Sequence, residues 1–214
     1  MNKQPCGDHS RIYNDFVRDL RHDDRYPFIR SVEDYKGESV IKLCPAQHQF
    51  VTAYQQAKIT EEFIKFLSED TYPIAEMQVC TLANQKVFDA ICNQSNLESL
   101  RIKRFNGKDI SNIAKLTKLK KLFIESGAGI EDITPLSEIE QLEVLILGDT
   151  KKIHDYSCLS KLQNLKVLGI CLYQTNCSGS KLKMESDEFI KDMPNLEWVD
   201  FIDCNISKVK AKQF

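Results

Sequence analysis

Four stretches decide the fold: LESLRI at residues 97–102, LKKLFI at 119–124, LEVLIL at 142–147 and LKVLGI at 165–170. Each has the form L-x-x-L-x-L/I, and their starts lie 22, 23 and 23 residues apart. Weaker copies flank them, IAEMQV from Ile74 and LEWVDF from Leu196, the latter 31 residues after Leu165. The intervening segments also agree at their apolar positions: DISNIAKLTKL from Asp109, IEDITPLSEIEQL from Ile130 and IHDYSCLSKLQNL from Ile153. In the second of these, Ile133, Leu136, Ile139 and Leu142 recur every third residue, which suits a short helix or 3₁₀ turn. A period of two in one segment and three in the next describes a short strand followed by a return. One such unit cannot enclose a core, whereas stacked units share one.

Leu97 to Ile170 therefore resembles the leucine-rich-repeat family, in its short subclass of about 22 residues, similar to internalin-type repeats. The resemblance implies an α/β solenoid: a parallel sheet of about six strands with short helical or 3₁₀ returns. It also implies partner binding on the sheet face. The chain departs from the family at the position usually held by Asn, three residues after the last strand hydrophobe. That position holds Phe105, Gly127, Thr150, Tyr173 and Cys204, of which Cys204 and Thr150 fit the pattern, so individually shaped turns are expected.

Working outward, the solenoid is expected over residues 74–206, with a basic tail at 207–214. The long interval before Leu196 implies an insertion. YQTNCSGSKLKM at 173–184 reads as a loop, and Ser186 as the N-cap of a helix carrying Phe189, Ile190 and Met193 on one face, stopped by Pro194. Residues 1–73 lack the repeat and read as a mainly helical N-terminal cap or small domain. Ser10 could cap a helix with Tyr13, Phe16, Val17 and Leu20 on one face, RHDDRYPF at 21–28 reads as a charged turn, and SVIKL at 39–43 as a strand. Residues 50–57 and 60–67 read as helices, the second burying Phe63, Ile64, Phe66 and Leu67.

Composition narrows the function. Hydrophobic residues make up 42% and charged residues 28%, an ordinary globular balance. A net charge of -2 argues against a dedicated nucleic-acid binder. The basic block from Arg101 to Lys121 has no interleaved aromatic besides Phe105. No run has the length of a signal peptide or membrane span, so a cytoplasmic monomer without a membrane partner is expected. The 8 cysteines are dispersed, unlike a dense disulfide framework, and Cys80, Cys92 and Cys204 sit in apolar contexts as buried thiols.

Catalysis needs a nucleophile with a base, paired carboxylates or a metal constellation, and the sequence has no GxSxG, phosphate loop, HExxH or CxxC. No catalytic residue, metal or cofactor is expected. One alternative is a zinc- or redox-responsive regulator, with Cys6, His9, Cys44 and His48 as two Cys and two His ligands. Cys171 and Cys177 could pair or sense oxidation.

The main expectation is a non-catalytic module that binds another protein through the sheet face. Strand alternation turns the third, fifth and seventh positions of each repeat away from the core. The candidate binding residues are Arg101, Lys103, Lys121, Phe123, Val144, Ile146, Val167, Trp198 and Asp200. Phe123, Val144, Ile146 and Val167 form an apolar block that Trp198, the single tryptophan, extends. The alternative is that the 173–184 loop or another element folds over this block. Charge is segregated as well: eight bases and one acid from Arg101 to Lys121, then seven acids and no base from Glu125 to Asp149. These blocks are either convex faces pairing across repeats or a dipolar surface that steers a partner.

Overall fold

The computed structural model describes residues 26–172 and 181–208. The expected helix after Ser10, Cys6, His9, Cys177, most of the 173–184 loop and all but the start of the basic tail lie outside the described residues.

The four strong repeats become parallel strands β4 (Ser99–Phe105), β5 (Lys121–Ile124), β6 (Val144–Gly148) and β7 (Val167–Cys171), numbered along the chain. The weaker copies form β3 (Glu76–Ala83) and β9 (Trp198–Ile202). Two further strands, β1 (Phe28–Ile29) and β2 (Val40–Leu43), extend the sheet on its N-terminal side. The order is β1-β2-β3-β4-β5-β6-β7-β9, so the sheet has eight strands among the described residues where about six were expected. The extra pair escaped the period because a long helix intervenes. Val40 aligns with Glu76, 36 residues on, and between them runs α1 (Ala53–Glu69).

That helix is continuous where two were expected. Thr52 caps it by accepting from the Gln55 amide at 3.2 Å, and the Gln55 side chain accepts from the Thr52 amide at 2.8 Å. Phe63 and Leu67 face inward and join the same buried cluster as the solenoid leucines. Tyr35, Phe66 and Tyr72 lock α1 against the first strands, with Phe66 and Tyr72 stacked at 4.0 Å. The first repeat returns through α2 (Gln85–Ile91), capped by Asn84.

Later returns are 3₁₀ turns at Ser111–Lys115, Thr134–Glu138, Ser157–Lys161 and Glu188–Asp192. Their every-third-residue spacing sets Ile113, Leu136 and Leu159 beneath the sheet, fully buried. Opposite them stand Leu100, Leu122, Leu145 and Leu168, aligned across neighbouring strands. This layer between sheet and returns is the core.

The helix expected after Ser186 does not form. Leu182–Ser186 is strand β8, paired in parallel with β10 (Cys204–Lys208), and only the short 3₁₀ turn follows. Leu182 and Met184 alternate with exposed Lys183 and Glu185, a period of two that outweighs the cap signal. Ser186 still acts locally, its Oγ accepting from the Glu188 amide at 3.1 Å.

Candidate functional site

Strand register lines up side chains on the face opposite the core. One row runs Phe28, Lys42, Gln78, Arg101, Phe123, Ile146, Gly169 and Asp200 across all eight strands. The neighbouring row runs Val40, Glu76, Ser99, Lys121, Val144, Val167 and Trp198. Register brings eight of the nine expected site residues into these two adjacent rows, and Lys103 lies one row further along β4.

The face is graded. Its N-terminal end carries buried cations, each on an aromatic ring: Lys42 lies 4.7 Å from the Phe28 centroid and Arg101 4.3 Å from the Phe123 centroid. A ring face supplies negative potential to a cation withdrawn from water. Its middle is a second apolar cluster of Phe123, Val144, Ile146, Val167, Cys171 and Trp198, separate from the core. Ile146 leans into the space above Gly169, where a methyl group would sit 3.4 Å from it. Its far end carries Asp200, half-buried, whose carboxyl burial pushes above the usual range.

The apolar block is buried in this chain and not exposed: Phe123, Ile146 and Val167 at 0%, Val144 at 3% and Trp198 at 9%. Every described member of the cluster comes from the sheet itself, and no described turn or helix contributes to it. Arg101 is buried too, while Lys103, Lys121 and Asp200 keep partial exposure at the rim. Sequence reasoning missed Lys42 and Phe28, because β1 and β2 fall outside the repeat. The alternation in SVIKL was the available signal.

The turns are individually shaped. Thr150 Oγ1 bonds the Tyr156 hydroxyl at 2.8 Å, the Cys204 thiol donates to the Ile170 carbonyl at 3.4 Å, and Phe105 packs on Phe88. Asparagines do stitch repeats, but one residue before the strand leucine. Asn96, Asn164 and Asn195 donate to the carbonyls of Tyr72, Glu140 and Gln163 at 3.0, 2.9 and 2.8 Å. Beside the face, Glu98, Lys120, Glu143, Lys166 and Glu197 occupy one repeat position with alternating charge, and Lys120–Glu98 and Lys166–Glu143 close at 2.8 Å. Lys152 and Lys108 both reach Glu131, at 2.6 and 3.6 Å. Of these pairs, Lys108–Glu131 joins the two segregated charge blocks, and the others tie one block to a residue outside both.

Cys44 is buried, and its carbonyl bonds His48 Nε2 at 2.7 Å. Among the described residues no group of three or more His, Cys, Asp or Glu is placed to hold a metal ion. No described helix is long and apolar enough to cross a membrane.

Strand, return and shared core repeated at this period make up a leucine-rich-repeat solenoid. Within that class, residues 68–150 match the family model described as R13L1/DRL21 LRRs. Among solved structures the chain is similar to an internalin (inlF) of Listeria monocytogenes str. 4b F2365. Identity is 18% and the TM-score 0.53, over 80% of this chain and 44% of that one. Internalin C2 (inlC2) of the same strain aligns at 23% identity and a TM-score of 0.38, over 69% of this chain and 84% of that one. The chain thus spans less than half the length of the first internalin. No curated protein sequence matches it.

Proposed function

We propose that this chain is a non-catalytic protein-interaction module whose partner engages the sheet face. The observation that carries the reading is the second apolar cluster of Phe123, Val144, Ile146, Val167 and Trp198. A leucine-rich solenoid closes its core with inward leucines and needs nothing apolar on the opposite face, so an apolar block there is a usual mark of an interaction site. The grading from Lys42 and Arg101 through the apolar block to Asp200 favours one polarity of partner. Such a partner is a protein segment with an acidic end toward β4, an apolar middle, and a basic end toward β9. Lys103, Lys121 and Asp200 at the rim form the first encounter, and Arg101, Phe123, Val144, Ile146, Val167 and Trp198 the buried contact. Because the apolar residues have almost no exposure left, engagement requires the face to open. The module is read as a cytoplasmic monomer, a compartment in which its thiols stay reduced.

The test is capture from the native cell extract, comparing wild type with Lys121→Glu/Asp200→Lys and with Ile146→Asp, after matching their circular dichroism. The rim pair reverses charge at partly exposed positions and leaves the core untouched. A protein retained by wild type and lost by the rim pair supports the reading. Equal retention by wild type and both variants overturns it.

A further inference from the structure

Cys44 directly follows β2, and Cys80 lies within β3. The register pairs Lys42 with Gln78 and Leu43 with Val79, so one further step sets Cys44 opposite Cys80. Alternation places both on the face that carries Lys42 and Gln78. Adjacent strands lie about 4.8 Å apart, within the Cα separation of roughly 4.4–6.8 Å that a disulfide accepts. Both thiols are free, and each is the largest influence on the other's ionisation. The Gln78 carbonyl, 3.7 Å from Cys80 Sγ, is the alternative acceptor for that thiol. Cys80 keeps partial exposure, and Cys44 is 8% exposed, enough for a small oxidant.

We infer that Cys44 and Cys80 form a reversible dithiol–disulfide site, oxidised by a hydroperoxide. Roles follow from the surroundings. The neighbouring Cys80 thiol favours the Cys44 thiolate, aided by Arg30 and Lys42, and together they outweigh burial. Cys80 is held as the thiol by the neighbouring Cys44 and by burial. Cys44 thiolate attacks one peroxide oxygen, the O–O bond breaks, and sulfenic acid forms as the departing oxygen leaves as water after taking up a proton. Cys80 sulfur then attacks the Cys44 sulfur, its proton goes to the departing hydroxide, and a second water leaves. Two thiols lose two electrons in total, and the peroxide gains them. A dithiol reductant reverses the bond by exchange.

Other described thiols have a different setting. Burial pushes Cys158 up to about 11 and Cys171 and Cys204 up to about 12. The site is independent of partner binding at the apolar block, so either reading can fail alone.

The experiment treats the reduced full chain with stoichiometric hydrogen peroxide, blocks remaining thiols by alkylation, and maps peptides by mass spectrometry. The expected product is a Cys44–Cys80 linked peptide, formed about tenfold or more faster than oxidation at Cys158, in line with its greater thiolate fraction. Cys80→Ser should strand Cys44 as a sulfenic acid that dimedone traps. Cys44→Ser should leave Cys80 fully alkylated. Complete alkylation of both cysteines in peroxide-treated wild type, or linkage of Cys44 to any other cysteine, would overturn the assignment. The wild-type measurement decides the matter even if a variant folds poorly.

Discussion

Leu145 and Ile146 are neighbours in β6, point to opposite faces of the sheet, and both have 0% exposure. Leu145 belongs to the core and Ile146 to the sheet-face cluster. Truncating each to alanine therefore compares the two faces of one strand. Either change removes three carbons beyond Cβ, worth about 2.4 kcal/mol at roughly 0.8 kcal/mol per buried methylene. The cavity left behind raises the expected cost to about 2–5 kcal/mol. Leu145→Ala should reach this range because returns and sheet close over it. Ile146→Ala should match it, because full burial leaves the side chain no water to lose. The assay is urea unfolding followed by far-UV circular dichroism, with the slope checked for a shared denatured state. A cost under about 1 kcal/mol for Ile146→Ala, with Leu145→Ala fully penalised, would refute the burial argued here. It would mean that the face stands open to water in the free chain.

Three further outcomes follow from the same geometry. Asp109, Asp132 and Asp155 each accept from an amide two residues on, at 2.7–2.8 Å, and the hydroxyl of that same residue (the larger effect at Asp132) and its amide hold their carboxyls below the usual range against a small opposing burial effect. A depressed folded-state value stabilises above the unfolded value and is lost as pH falls through the folded one, so Asp132→Ala should cost about 1 kcal/mol at neutral pH. In denaturant titrations, that difference from wild type should shrink as pH falls through the unfolded value and vanish below the folded one. Gly148→Ala would put a methyl 2.0 Å from the Glu125 carbonyl oxygen, so strands β5 and β6 must part and thermal unfolding should shift down by several degrees. Glu143→Lys would set three cations in a row between Lys120 and Lys166, which should destabilise the chain at low salt and recover toward wild type in high salt.

The repeat was legible because the same physical demand recurs. Leu100, Leu122, Leu145 and Leu168 face one shared core, so their type and spacing are constrained at every turn. The period-of-three returns were equally plain and are 3₁₀ turns in the structure. What failed lies where that demand lapses. β1 and β2 were outside the count because α1 replaces a short return, stretching the spacing to 36 residues. Ser186 carried a cap signal that the alternation of Leu182 and Met184 overrode once β10 offered a partner strand. The D-x-S/T bonds before the first three of these 3₁₀ turns recur at 23-residue spacing and were readable in principle, but apolar matches on either side draw the eye first.

The sheet face obeys a different logic from the core. Its central row reads Lys42, Gln78, Arg101, Phe123, Ile146, Gly169 and Asp200, with no two neighbours alike. Stacking of repeats sets no preference at these positions, since the core closes without them. A face without a role would be free to carry lysine and glutamate throughout, as the neighbouring ladder of Glu98, Lys120, Glu143 and Lys166 does. Burying Lys42 and Arg101 on aromatic rings carries a desolvation cost that such a solvated ladder does not have. On the proposed reading, the face keeps this form for a partner as well as for stability. On that reading, a partner carrying the opposite grading meets the cations, the apolar block and Asp200 together, and one with the reversed grading sets like charges against each other.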